Sequence, residues 1–172
     1  MSNKSVFDQL VTSAASELFA ARGVDVRVVR GSDVSIEYAA TIGFAADGMR
    51  GMIGLGMSPD TLQRMATQDQ PNSVTYNGED WLAESANQLL GRLKNKLLRY
   101  GVTLSIALPT VLQGVRLQFL RTGTTTLWTH ALDSDLGPFW VWLDVRSKAE
   151  LVLAEVDDPN LEPTSEGELL LF

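Results

Sequence analysis

A chain of 172 residues has room for one domain with a sizeable core, and 45% apolar with 20% charged side chains is the balance of an ordinary globular protein. The absence of cysteine and the single histidine exclude disulfides, a thiolate nucleophile and the usual zinc centres, so no metal site is expected. A net charge of −7 argues against a nucleic-acid binder, and no apolar run approaches the ~20 residues of a membrane helix.

The charge is unevenly spread. Residues 1–146 carry 13 basic and 14 acidic side chains, whereas residues 147–172 carry Lys148 against seven acids. This division predicts a nearly neutral domain over 1–154 and an acidic, flexible tail over 155–172. The first residues lead into an amphipathic pattern with no secretory signal, so a cytoplasmic location is expected.

From Lys4 to Arg22, Val6, Phe7, Leu10, Val11, Ala14, Leu18 and Phe19 recur at helical spacing, and Gly23 ends the pattern. Val24–Val29 reads as a short strand. Ser35–Phe44 and Met49–Met57 read as a hairpin about Ala46-Asp47-Gly48. Ser58-Pro59 opens a short helix running to Gln68, and Gln70–Ser73 is a loop. A long helix is predicted over Glu79–Tyr100, stopped by Gly101. Strands follow at Val102–Leu108, Val115–Arg121, Thr125–Leu132 and Phe139–Val145. Helix followed by strands, twice, predicts an α+β domain built by duplication. Its sheet would be mostly antiparallel, with helices packed on one face.

The long helix separates two kinds of side chain. At about 100° per residue, Leu82, Ala86, Leu89, Leu93, Leu97 and Tyr100 form a core stripe. Asp80, Glu84, Asn87 and Gly91 fall within an arc of about 60° on the opposite side, and Leu98 lies near it. Two carboxylates and an amide on a convex face make no pocket. They are either a solvated surface or half of a site completed by a partner. Gly91 costs about 1 kcal/mol of helix propensity against alanine and would let another backbone approach closely.

Asp80-x3-Glu84-x2-Asn87, then Pro109 after 21 intervening residues, resembles the signature of the CheC/CheX/FliY phosphatases of bacterial chemotaxis. The surrounding Glu84-Ser85-Ala86-Asn87-Gln88-Leu89-Leu90-Gly91 is similar to that family's active helix. The resemblance implies a CheC-like fold and a phosphatase of the aspartyl phosphate on a CheY-type response-regulator receiver. Asn87 would orient the attacking water, and Glu84 would pair with the receiver's lysine. Asp80, Gly91 and Leu98 would contact the partner, with a helix-end role the alternative for Asp80; Pro109 would be structural. The protein would need no cofactor of its own, because the receiver supplies Mg²⁺. The first helix carries Ser13-x3-Glu17-x2-Ala20, with Ile42 at the position matching the proline. This partial echo implies one active motif and hence a CheX-like member, and with it a homodimer. The alternative is a non-catalytic adaptor that binds a receiver or a flagellar-switch component through the same helix.

Other signals carry less. The run Gly51-Met52-Ile53-Gly54-Leu55-Gly56-Met57-Ser58 superficially looks like a phosphate-binding turn but lacks a following parallel βαβ unit and a Lys-Ser/Thr pair, so close strand packing or a sheet edge is expected. His130 is expected to be a surface or satisfied sheet residue, and Trp128, Trp140 and Trp142 to fill the core or a dimer interface. The terminal Glu168-Leu169-Leu170-Leu171-Phe172 reads as a disordered end or a docking peptide.

Overall fold

In a computed structural model, which describes residues 3–30, 35–69, 77–120, 123, 125–148 and 153–154, the two long helices end in the same way. The first, α1 (Asn3–Ala21), terminates at Gly23, whose φ of 71° lets the Val24 N–H reach back to the Phe19 carbonyl and its own N–H to Ala20. This is a Schellman motif, which needs a residue tolerant of positive φ. Gly101 (φ 70°) does the same beyond the other long helix, with Val102 bonded to Leu97 and Gly101 to Leu98.

Between them run β1 (Arg27–Val29), β2 (Tyr38–Ala46), β3 (Met49–Met57) and the short helix α2 (Pro59–Asp69). The tight turn between β2 and β3 is Asp47-Gly48, with Gly48 at φ 76°. The Ser58 hydroxyl caps α2 by accepting from the Thr61 N–H at 3.3 Å. The second half holds α3 (Gly78–Leu98), β4 (Ser105–Ile106), β5 (Thr110–Gln113), β6 (Thr126–Asp133) and β7 (Phe139–Ser147).

The described strands form one antiparallel sheet in the order β1-β6-β7-β3-β2-β4, with β5 also on β2. The two units are interlocked. β3 pairs with β7 at the centre, β1 of the first unit pairs with β6 of the second, and β4 and β5 of the second pair with β2 of the first. The alternation along each strand then buries one face against α1 and α3. Val11, Leu18 and Phe19 meet Leu82, Leu89 and Leu93 over Ile42, Ile53, Leu55, Val141 and Leu143. Each such side chain contributes roughly 1.5–3 kcal/mol by leaving water. Leu153 packs into the same core, while the expected acidic tail and its terminal Leu-Leu-Leu-Phe lie outside the described residues.

The opposite face carries a smaller cluster of Ile36, Ala39 and Trp142, with the Phe119 ring stacked on Trp142 at 3.7 Å between centroids. The glycine-rich strand serves this packing: a Cβ on Gly54 would overlap the Trp142 ring and the Ala40 carbonyl. Trp128 packs on Phe7 in the main core, with ring centroids 5.4 Å apart. His130 Nε2 is buried 3.1 Å from the Asp8 carboxylate, between β6 and α1, without a hydrogen bond among the described residues.

Two strand expectations need correction. Val102–Leu108 is not one strand. Ser105–Ile106 and Thr110–Gln113 pair with β2 on either side of a one-residue bulge at Ala107–Pro109, since Phe44 faces Ile106 but Thr41 faces Thr110. Pro109, lacking an N–H, occupies the bulge. Val115–Arg121 is not a strand among its described residues. Its alternating apolar pattern arises because Leu117 and Phe119 pack on the far face while Val115 stays exposed. Arg116 at φ 52° interrupts extended backbone; the Ile36 carbonyl accepts from the Leu117 N–H, and the Glu37 carbonyl accepts from Gly114 just before the stretch.

Candidate functional site

The site is organised by how α3 begins and which side it buries. Asn77 caps the helix: its side-chain oxygen accepts from the Asp80 N–H at 3.1 Å, and its amide donates to the Asp80 carboxylate at 2.6 Å. This reciprocal exchange satisfies an otherwise orphan N–H, and Glu79 and Asp80 sit favourably at the positive end of the helix dipole. Asp80 is thus engaged at the helix end. From Trp81 onward, Leu82, Ser85, Ala86, Leu89, Leu90, Leu93 and Leu97 are buried.

Glu84 is exposed and Asn87 half-buried, one turn apart on the outward side. Among the described residues nothing hydrogen-bonds the Asn87 amide. Gly91 and Leu98 continue the same line, both half-buried, and a Cβ on Gly91 would have no neighbour within 4 Å. The fold itself therefore does not require glycine there. The structure brings Asp80, Glu84, Asn87, Gly91 and Leu98 onto one face of one helix. Pro109 lies off this face, between β4 and β5 at the sheet edge beside β2.

Beside the stripe lies a network that spacing alone did not indicate. Arg22, at the end of α1, has a side chain only 10% exposed. It donates to the Ser85 hydroxyl at 2.7 Å and to the Gln88 side-chain oxygen at 2.9 Å. Its guanidinium carbon stands 4.9 Å over the Trp81 ring, and its Nε is 3.7 Å from Asp69. Gln88 in turn donates to Glu84 Oε1 at 2.9 Å. The spacing of Glu84 and Gln88, four apart on a helix, was readable from sequence. Arg22 was not, because it arrives from a helix more than sixty residues away.

The partial copy on α1 is arranged differently. Glu17 Oε1 accepts from Ser13 at 2.9 Å and from Lys96 Nζ at 2.6 Å. Partial burial pushes the Glu17 carboxyl up, but the hydrogen bonds from Lys96 and Ser13, with the charges of Lys96 and Arg92, outweigh it and hold the group below its ordinary range. Ala20 is exposed and Ile42 is buried in the core.

Among the described residues no group of three or more acidic or histidine side chains is placed to hold a metal ion, and no helix is long and apolar enough to cross a membrane. What the α3 face offers is a carboxylate, an unengaged amide and a flat stretch at Gly91. That is enough to dock on another protein and to orient a water, and too little to enclose a small substrate.

The class is an α+β domain with an antiparallel sheet, its helices on one face, and the motif on the outward side of the second long helix. The family model for the chemotaxis phosphatase CheX matches residues 38–129, more than half of the chain and including all of α3. The chain belongs to the CheX family. In fold it is similar to chemotaxis protein CheX from Vibrio vulnificus, at 13% identity and a TM-score of 0.71, covering 80% of this chain and 95% of that one. It is also similar to the CheX of a CheX–CheY–BeF3–Mg²⁺ complex from Borrelia burgdorferi, at 15% identity and a TM-score of 0.62, covering 80% and 94%. Thermotoga maritima FliY matches at 15% identity and a TM-score of 0.51, covering 80% and 84%. A search of curated protein sequences finds no match.

Proposed function

We propose that this protein hydrolyses the aspartyl phosphate of a CheY-type receiver, with Asn87 and Glu84 as its working residues. The observation that carries the proposal is the Asn87 amide. It stands on an outward helix face without a hydrogen-bond partner among the described residues, one turn from an exposed carboxylate.

The chemistry needs little from this chain. An acyl phosphate is already reactive, so the missing ingredient is a water held in line with phosphorus. The Asn87 carbonyl accepts from that water and aims its lone pair at the phosphorus. The water oxygen bonds to phosphorus as the bond to the aspartyl oxygen breaks, inorganic phosphate departs, and the water's proton leaves with phosphate or solvent. The receiver's aspartate is regenerated as a carboxylate. Mg²⁺, which neutralises the phosphate oxygens, belongs to the receiver and not to this chain. Glu84 pairs with the receiver's lysine and fixes how the two proteins meet, while Gly91 and Leu98 give the receiver's backbone a close, partly apolar seat. A homodimer within the cytoplasm belongs to the same proposal, and sedimentation of the purified chain tests the oligomer.

The test is the decay of phosphorylated receivers timed with wild type and with Asn87→Ala. The substitution should abolish acceleration while receiver binding survives. Unchanged decay of every candidate phospho-receiver in the presence of wild type would sink the proposal.

A further inference from the structure

We infer that Arg22 is a positioning residue for this activity, acting through Gln88 to hold the Glu84 carboxylate in its docking pose. The inference rests on the role proposed above for Glu84, and goes beyond it to a residue outside the motif, in the turn that ends α1.

The argument is one of donor and acceptor types. A guanidinium only donates, a carboxylate only accepts, and an amide does one at each end. Arg22 donates to Gln88 Oε1 at 2.9 Å, so the Gln88 Nε2 end must point away from it, and it points at Glu84 Oε1, also at 2.9 Å. Arg22 thus sets which way the amide faces. Without it Gln88 is free to turn over and present oxygen to the carboxylate, which would repel it. Arg22 itself has little freedom, being 10% exposed and held by the Ser85 hydroxyl, the Trp81 ring and Asp69. Ser85 and Trp81 are anchored too: Ser85 donates to the Trp81 carbonyl at 2.7 Å, and the Trp81 indole donates to Asp69 at 2.9 Å. An exposed glutamate ordinarily samples several rotamers, and docking must select one. Here the buried junction of α1, α2 and α3 makes that selection beforehand.

The decisive variant is Gln88→Glu. It keeps an acceptor for Arg22, so the helix junction stays anchored, but it removes the donor to Glu84 and places a like charge four residues away. A purely structural role for Arg22 predicts that Arg22→Met costs stability while leaving the KM of the folded protein at the wild-type value. A positioning role predicts that Gln88→Glu and Arg22→Met each raise the KM for a phosphorylated CheY-type receiver about tenfold, with kcat within about twofold of wild type. Neither substitution should add to the loss already caused by Glu84→Ala. Wild-type KM in Gln88→Glu, or a further loss in the Glu84→Ala background, overturns the inference.

A second readout needs no turnover. The Gln88 side-chain amide resonances of the free protein should move in both Arg22→Met and Glu84→Ala. Resonances that stay in place overturn the positioning chain whatever the kinetics show. Resonances that move in a protein with no phosphatase activity uphold the chain and refute instead the role assigned to Glu84.

Discussion

The α1 and α3 copies of the motif have the same spacing and opposite fates. On α1 the carboxylate of Glu17 is occupied by Lys96 and Ser13, its neighbour at the asparagine position is Ala20, and Ile42 is buried in the core. On α3, among the described residues, the carboxylate of Glu84 accepts from the neutral amide of Gln88 and Asn87 is unengaged, and Pro109 sits at a bulge on the sheet edge. The first motif position also differs in place: Asp80 lies in the first turn of α3, whereas Ser13 lies in the middle of α1. Duplication preserved the scaffold in both copies. The two faces differ in whether their polar groups are left available, and an internal ion pair is a simple way to remove one.

The sharpest way to break this comparison is to exchange its central residue. Asn87→Ala should slow receiver dephosphorylation at least ~10²-fold by loss of water positioning, whereas Ala20→Asn on α1 should add no turnover while Lys96 holds Glu17. A gain from Ala20→Asn alone, seen in the same phospho-receiver decay assay, would show that the α1 face is dormant for want of one residue.

A smaller effect is expected at the helix start. Asn77→Ala removes the cap on Asp80 and should lower stability by about 1 kcal/mol in denaturant titrations, with no counterpart at Ser13. Gly91→Ala splits two readouts. It should raise stability by up to about 1 kcal/mol, because the added methyl meets nothing within 4 Å, and it should weaken receiver binding in a titration. Equal binding would remove Gly91 from the docking surface.

The smallest effect concerns the silent copy. Lys96→Ala should cost less than about 1 kcal/mol, since Glu17 is half exposed and solvent screens the pair. The Glu17 carboxyl is held below its ordinary range. Its contribution to stability is therefore present above that range and lost as pH falls through the folded value. The difference between Lys96→Ala and wild type should accordingly appear at neutral pH and close in acid, as read by chemical denaturation at both.

Local regularities were legible in the sequence and junctions were not. The stripe on α3 follows from helical spacing, the Asp47-Gly48 turn from its residue types, and both helix ends from glycine. The Val115–Arg121 segment misleads because Leu117 and Phe119 alternate as a strand would, although Arg116 breaks the backbone geometry and the segment crosses the far face. Arg22 carries no signal at all, since its meaning depends on where α1 ends against α3. The motif residues of the candidate site were therefore readable, and their support was not. The same holds for the exchange of strands between the two units, which element order leaves open.

That exchange makes the first half indispensable to the sheet. β2 carries β4 and β5, β3 completes the centre beside β7, and β1 covers the edge of β6, with Arg27 facing Asp133 across more than a hundred residues of chain. A fragment beginning at α3 would keep every motif residue and expose the unpaired edges of β4, β5, β6 and β7. Such long-range pairings also have to form late and together, which favours a single, slow folding transition over two independent ones. Side chains on the outward face of α1 can therefore change without cost to the sheet, whereas the strands that follow α1 cannot be removed.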